Sequence, residues 1–377
     1  MHIIVIRVGI ITHPMTQSII RMLLDYKVKV SVVTTKNQID LNKHFNKKVD
    51  IHELKVDYTK PANIFMKFFR LLYIRKQMWK EIDSIYCEDS VLWVGHNITI
   101  KHLGNKLLKY RYILHLNELN ENIAYWPKFP VFKLNANKIG NTALAVIVPE
   151  YNRAHIVKAL WNLKKLPYIM PNKPYLYEMP ARYSQINHSE DAKKIIKKLK
   201  GKKIIIYQGA ISAERRLDIF VKAVGELGSD YAFLIMSNNI NNLSFKLPDN
   251  CYCIEYINAP YHLEVTSHAY IGVLSYIPEK TSNSILNSLY CAPNKIFEYS
   301  MFGIPMIGND IPGLNMLFKT EKCGECILNE MTEEVKKAIK KIEENYSDYS
   351  KNSKLFYNSV DNYEKMKKII EDVKKNY

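Results

Sequence analysis

The chain contains no apolar run approaching about 18 residues, so no membrane-spanning helix is expected. It also lacks the features of a secretory leader. "MHIIVIRVGIITHP" is too short and too lightly charged at its start, and reads as a first buried strand. Cysteine is sparse. The six residues, Cys87, Cys251, Cys253, Cys291, Cys323 and Cys326, are too few and too scattered for a disulfide scaffold. "CYC" and "CGEC" could together offer four zinc ligands but lack a zinc-ribbon context, which leaves free thiols in a reducing cytoplasm as the plain expectation. No Asp-x-Asp metal motif stands at a strand end, and no zinc finger, RNP-like or helix-turn-helix signature supports a nucleic-acid module. The two halves show no internal repeat.

Negative charge is in short supply. Against 37 acidic residues stand 54 Lys and Arg, for a net charge of +17. Such a surface attracts anionic lipid, nucleic acid or phosphorylated substrates, and the sign alone does not choose among them. Much of the excess lies in stretches such as "DAKKIIKKLKGKK" and "EEVKKAIKKIEENY", which read as solvated helix faces. A 47% hydrophobic and 24% charged composition is that of a folded globular chain, and 377 residues suit two domains.

Strands are expected over 2–12 and 28–34, in "SVLWVGHN", "RYILHLNEL" and "LAVIVPE", with helices over 16–25, 64–82 and 99–109 and in "YNRAHIVKALW". The alternation predicts parallel β/α units. "LPYIMPNKPYLYEMP" at 166–180 holds four prolines and no helical period, and reads as a linker. The pattern then restarts, with helices over 190–200 and 214–227 and strands over 203–208 and 231–236. This predicts an α/β protein of two Rossmann-like domains with parallel sheets facing across a cleft. They are residues 1–171 and 172–356, with a charged helix over 357–377 free to pack back on the first.

Two stretches carry candidate chemistry. In "APNKIFEYSMFGIPMIGNDIPG", Pro293 can open a helix, and Gly303 and Pro305 can end it. Lys295 and Glu298 are i, i+3 neighbours near the helix start, where free backbone N–H groups attract anions. A cation, a hydroxyl-binding carboxylate and an anion site together suit a nucleotide; the alternative is an ordinary surface ion pair. In "IIIYQGAISAERRLDIF", a buried strand turns at Gly209 into a helix that Ser212 could cap, with Arg215 and Arg216 in its first turns. Cations there oppose the helix dipole unless an anion lies between, although two solvated arginines would read the same way.

At these residues the chain resembles retaining GT-B fold glycosyltransferases, specifically glycosyltransferase family 4. "YQGAISAERRLDIFVKAV" is similar to the family's Gly-Arg-Leu…Lys-Gly segment, and "APNKIFEYSMFGIPMIGNDIPG" to its ribose-binding helix and following strand. "AVIVPEYNRAHIVKALWNLKKLPYIMPNKP" is similar to the end of its N-terminal domain. The likeness covers roughly 140–315 well and 1–140 loosely. It implies an acceptor-binding first domain and a donor-binding second one. Glu298 would hold ribose hydroxyls. Arg215 stands where the family has its diphosphate-binding lysine, supported by Lys295, Arg216, the Gly209 turn and backbone groups near Asn294. The chain departs from the family at Tyr290, in place of a glutamate that usually touches the donor sugar, and at Ala210, in place of an arginine. "RVGIITHPMTQ" replaces the N-terminal Gly-rich loop, and Asn117-Glu118 stands where relatives often have His-Glu.

The implied reaction moves a sugar from a nucleotide-diphosphate donor to a glycan or lipid-linked glycan acceptor, in polysaccharide or glycoconjugate biosynthesis. No cofactor and no metal are expected, since Arg215 and Lys295 can stabilise the departing diphosphate. A retaining course needs no strong protein base. An inverting one would draw on Glu118, His115 or His13. "KPANIFMKFFRLLYIRKQMWK" at 60–80 has six basic residues and no acidic one. Ile64, Phe68, Leu71, Leu72 and Trp79 are expected to face the core, with Phe69 and Tyr73 near Lys76 and Lys80 outside. That mixture suits an anionic membrane surface, or equally a domain helix with snorkelling lysines. The expected location is the cytoplasm, peripheral to the inner face of a membrane, with no nucleic-acid partner. The rivals are a GT-B fold nucleotide-sugar epimerase, which needs no acceptor, and a non-enzymatic basic nucleic-acid binder.

Overall fold

The computed structural model describes residues 1–377 except 10, 12, 38, 39, 46, 47, 59, 62, 121, 122, 124–133, 239, 280–283, 376 and 377, and except the side chains of 43 and 242. The chain forms two compact units, Met1–Pro171 with Asn362–Tyr377, and Asn172–Asp361.

The first unit holds strands β1 (His2–Arg7), β2 (Lys29–Thr34), β3 (Asp50–Glu53), β4 (Ser90–Gly95), β5 (Tyr112–His115), β6 (Ala145–Val148) and β7 (Tyr168–Ile169). They form one sheet in the order β3-β2-β1-β4-β5-β6-β7, and every pairing is parallel. A parallel sheet covered by helices buries both faces, which is why "HIIVIR" and "SVLWVG" are buried at every position. The first strand stops at Arg7, short of the expected 12; positions 10 and 12 lie outside the described residues. The Pro-rich stretch is only partly a linker, because Tyr168–Ile169 adds the edge strand β7. Backbone before Pro171 is biased to extended conformations, and an edge position tolerates the missing N–H.

Two helices depart from expectation. The chain reads as helical to Ser359 within the second unit, and a separate helix, Asn362–Lys374, belongs to the first. That helix buries Met366, Ile369, Ile370 and Val373, and packs on the helix Pro14–Asp25. Tyr168 donates its hydroxyl to Asp372 at 3.1 Å, and Asn362 donates to the Pro171 carbonyl at 2.7 Å. The helix Ile64–Ile85 buries Leu71 and Trp79 as expected, but Ile64 and Leu72 are exposed and Phe68 is only half-buried. Its first turns therefore lie off the core.

The second unit holds β8 (Lys203–Gln208), β9 (Tyr231–Met236), β10 (Cys251–Ile254), β11 (Ile271–Leu274), β12 (Met306–Asn309) and β13 (Gly324–Ile327). Their order is β10-β9-β8-β11-β12-β13, again all parallel. One hydrophobic cluster gathers around Leu234, Met236, Tyr299 and Ile304, and another around Ile235, Phe220 and Ile339. Tyr299 explains a glycine: a Cβ at Gly272 would lie 2.3 Å from its ring. Gly272 in β11 thus lets the helix Asn294–Ser300 seat directly on the sheet, which fixes where Lys295 and Glu298 are carried.

Candidate functional site

In the second sheet the strand order reverses between β8 and β11. Open parallel sheets bind ligands outside the C-terminal ends of their strands at such a reversal. Gly209 follows β8 directly with φ +124°, a conformation that strains any L side chain. A Cβ there would stand 3.8 Å from the Lys295 Nζ. The glycine turn and the lysine, 86 residues apart by number, therefore meet at one strand end.

Lys295 is 8% exposed and its Nζ is buried without a hydrogen-bond partner. It lies 4.3 Å from the Tyr207 ring centroid and 5.1 Å from that of Tyr276. Ring faces attract an ammonium but replace only part of its lost hydration. Burial, reinforced by the Arg215 charge and opposed by Glu298 and Cys291, brings its pKa down to about 7. The Arg215 guanidinium shares the Tyr276 ring, 5.5 Å from its centroid. Two cations on one aromatic ring repel each other, and an anion placed against both would relieve that cost.

Glu298 is 5% exposed, so the surface-pair alternative fails. Gln208 Nε2 donates to its Oε2 at 2.6 Å, and His262 Nε2 lies 3.2 Å from Oε1. Thr266 donates its hydroxyl to Gln208 Oε1 at 2.6 Å, which fixes the amide orientation. Burial pushes the carboxyl up, but the His262 and Gln208 contacts and the Lys295 charge outweigh it, so the pKa lies below the ordinary value. Each carboxylate oxygen has two lone-pair directions, so Glu298 retains capacity for a ligand hydroxyl.

The structure brings Gly209, Arg215, Lys295 and Glu298 together. Asn294 opens the helix that carries the last two and is partly exposed. Tyr290 is half-buried at the end of the helix Ile285–Leu289. Its turn is pinned by Asn172, which donates to the Ala292 carbonyl at 2.6 Å, and by Gly313, where a Cβ would meet the Cys291 backbone at 2.9 Å. Arg216 is placed apart. Its Nε lies 3.4 Å from Asp218 and its Nη2 3.5 Å from Glu330, in half-exposed pairs. The expected helix over 214–227 accounts for this. Only a 3₁₀ turn forms over Ala213–Arg215, Ser212 makes no side-chain cap, and the α-helix begins at Asp218. Arg216 is extended, with φ −73° and ψ 143°, between the two pieces. Pro293 likewise precedes its helix as N-cap rather than opening it.

Glu118 lies in the first unit just beyond β5, where Asn97 Nδ2 donates to its backbone carbonyl at 3.1 Å. Gln208, Tyr207, His262, Thr266 and Tyr276 were not singled out in the sequence. Gln208 carried one usable signal, a polar residue ending an apolar strand just before the turn glycine. Among the described residues, no three His, Cys, Asp or Glu side chains are grouped to hold a metal ion, and all six cysteines are free thiols.

No family model matches the sequence, and no curated protein matches it. Solved structures do match. A glycosyltransferase from Rickettsia africae aligns over 99% of this chain and 98% of its own, at 12% identity and a TM-score of 0.65. HepE from Anabaena, in complex with UDP-glucose, aligns over all of both chains at 11% identity and a TM-score of 0.66. WaaG, a glycosyltransferase involved in lipopolysaccharide biosynthesis, aligns over 98% of both chains at 11% identity and a TM-score of 0.60. At such low identity these likenesses establish architecture: two Rossmann-like units with parallel sheets, the GT-B fold.

Proposed function

We propose that this GT-B chain is a glycosyltransferase that takes a sugar from a nucleotide-diphosphate donor and passes it to a glycan or lipid-linked glycan. The observation that carries the reading is Lys295: a buried, unpartnered ammonium beside Gly209, Arg215 and Glu298 at a strand-order reversal. A diphosphate supplies the missing negative charge, and Glu298 receives the ribose hydroxyls. HepE, described with UDP-glucose, lends the fold-level precedent.

The mechanism follows from where charge grows. As the sugar–phosphate bond breaks, the diphosphate becomes more negative, and Arg215 and Lys295 stabilise it more than they stabilise the bound donor. Two cations fill the role a divalent metal would otherwise take, so the reaction is metal-independent. The acceptor hydroxyl approaches the face the diphosphate leaves, bonds to the sugar carbon and passes its proton to the departing phosphate oxygen, a retaining course in which no side chain acts as a strong base.

The acceptor is membrane-borne in this reading. On the helix Ile64–Ile85, Phe65 is 74% and Phe69 66% exposed, with Ile64, Met66 and Tyr73 beside them and Lys67, Lys76 and Lys80 also exposed. Apolar tips among cations suit the anionic, inner face of a membrane, which supports the reading of a peripheral enzyme of polysaccharide or glycoconjugate biosynthesis on the cytoplasmic side. Among the described residues no helix is long and apolar enough to cross a membrane. The test is product analysis with a panel of nucleotide sugars, with and without lipid extract. Release of nucleoside diphosphate that requires acceptor supports the reading. Acceptor-independent conversion of one nucleotide sugar into another would instead assign an epimerase.

A further inference from the structure

The first sheet has its own strand-order reversal, between β1 and β4. Its C-terminal edge is therefore a second place where such a fold binds ligands. Arg7 ends β1, His96 follows β4, His115 ends β5, and His13 is the N-cap of the helix Pro14–Asp25. Arg7 is buried, and its Nη1 donates to Thr16 Oγ1 at 3.0 Å.

Three buried polar atoms in this group have no hydrogen-bond partner: His13 Nδ1, His115 Nε2 and Asn97 Oδ1. An unsatisfied buried polar atom carries a desolvation penalty, and most buried polar groups are satisfied. Three together at one sheet end offer hydrogen-bonding capacity that a ligand can take up. His13, His96, Gly9 and Glu118 are partly exposed, so the group can be reached.

The chemistry of the group selects the ligand. Burial, followed by the Arg7 charge, holds His13 well below its ordinary pKa and brings His96 and His115 to about 3. Lys101 adds to the effect on His96. All three imidazoles are thus neutral at pH 7, and each has one N–H to donate. The charge on Arg7 is supported by Glu118, yet burial outweighs that support and its pKa falls to about 10. A neutral sugar would leave the guanidinium at that cost, whereas an oxyanion would lower it.

We propose that this cluster binds an anionic sugar: a phosphate or carboxylate against Arg7 and the imidazoles of His13 and His115, with a hydroxyl of the same molecule donating to Asn97 Oδ1. The inference rests on the glycosyl-transfer reading and gives it an acceptor class, an acidic or phosphorylated sugar.

Histidine ring resonances of the whole protein, followed by NMR during titration with glucose 6-phosphate, glucuronate or glucose, test this. Saturable shifts of His13 and His115 with at least one anionic sugar, and tenfold weaker or absent shifts with glucose, are expected. The anion that binds more tightly names the group, phosphate or carboxylate. Arg7→Gln should weaken that binding at least tenfold while Lys295→Met leaves it intact. Should Arg7→Gln fail to fold, His115→Gln takes its place, with the same tenfold loss expected. Equal binding of glucose, absence of shifts at these histidines, or binding lost with Lys295→Met but kept with Arg7→Gln would each overturn the proposal. None of those results touches donor binding, which is read separately by titrating nucleoside diphosphates. A chain that binds none of them would instead defeat the donor reading.

Discussion

Lys295 is expected to behave as an ammonium that waits for an anion. Its folded pKa, about 7, lies below the ordinary 10.5 of the unfolded chain. Between those values the unfolded state binds more protons, so this residue makes stability rise with pH from about 7 to 10.5 and imposes its full cost below 7. Lys295→Met should flatten that slope in pH-dependent thermal unfolding; an unchanged slope would mean the lysine is solvated. A bound diphosphate restores the charge, so nucleotide binding should take up a proton above pH 7 and weaken as pH rises. Calorimetry in buffers of different ionisation enthalpy reads that uptake, and its absence contradicts the assignment. Arg215→Ala should lower kcat by on the order of a hundredfold with a smaller change in donor affinity, and EDTA should leave the wild type active. Strict need for manganese with Arg215→Ala fully active would refute the cationic mechanism.

Glu298 is bound into the fold as well as facing the candidate ligand. Glu298→Ala should weaken nucleotide binding by about 1.5–3 kcal/mol, and should also lower stability, because Gln208 Nε2 loses its acceptor. Glu298→Gln, which keeps the volume, separates the two effects; unaltered nucleotide affinity in either variant would leave the residue purely structural. Lys295, Glu298 and Gly209 were legible as candidates because each stands out locally, as charges in an apolar helix and as a glycine after an apolar strand. His262 and Thr266 were not. They meet Gln208 and Glu298 only because their segments converge at one sheet end, with Thr266 and Gln208 58 residues apart. Pairing of that kind leaves no local mark.

At the level of elements, strands were easier to place than helix starts. Runs such as "KIIIYQ" and "YAFLIM" are apolar because both faces of a parallel sheet are covered. The helix after Gly209 starts later than its sequence suggests: Ser212 resembles a cap but makes none, while the real start, after Leu217, has no side-chain cap to announce it. The helix Ile64–Ile85 shows the converse. Its wheel suggested a core face for Ile64 and Leu72, but its first turns extend beyond the core and leave them exposed. That exposure sharpens a prediction. Wild-type protein should cosediment with anionic vesicles at low salt and release them at high salt. Lys76→Glu with Lys80→Glu should reduce binding, and Phe65→Ser with Phe69→Ser should reduce what salt does not remove. Indifference of the wild type to anionic vesicles would exclude this face.

For the whole molecule, two parallel sheets of seven and six strands each present a strand-order reversal with buried cations beside it. The alternation of strand and helix made the two-sheet plan readable from sequence, whereas the return of Asn362–Lys374 to the first unit depends on packing that no local pattern encodes. The net charge of +17 agrees with anionic ligands without naming them. The proposed function requires the second unit to bind a nucleoside diphosphate through Lys295. Calorimetric titration of wild type and Lys295→Met with UDP, GDP and ADP in EDTA tests it most directly. At least one is expected to bind the wild type and to bind Lys295→Met at least tenfold more weakly, in line with loss of one charged contact of about 1.5–3 kcal/mol. Absence of binding by all three, or equal affinity in the two proteins, would contradict it.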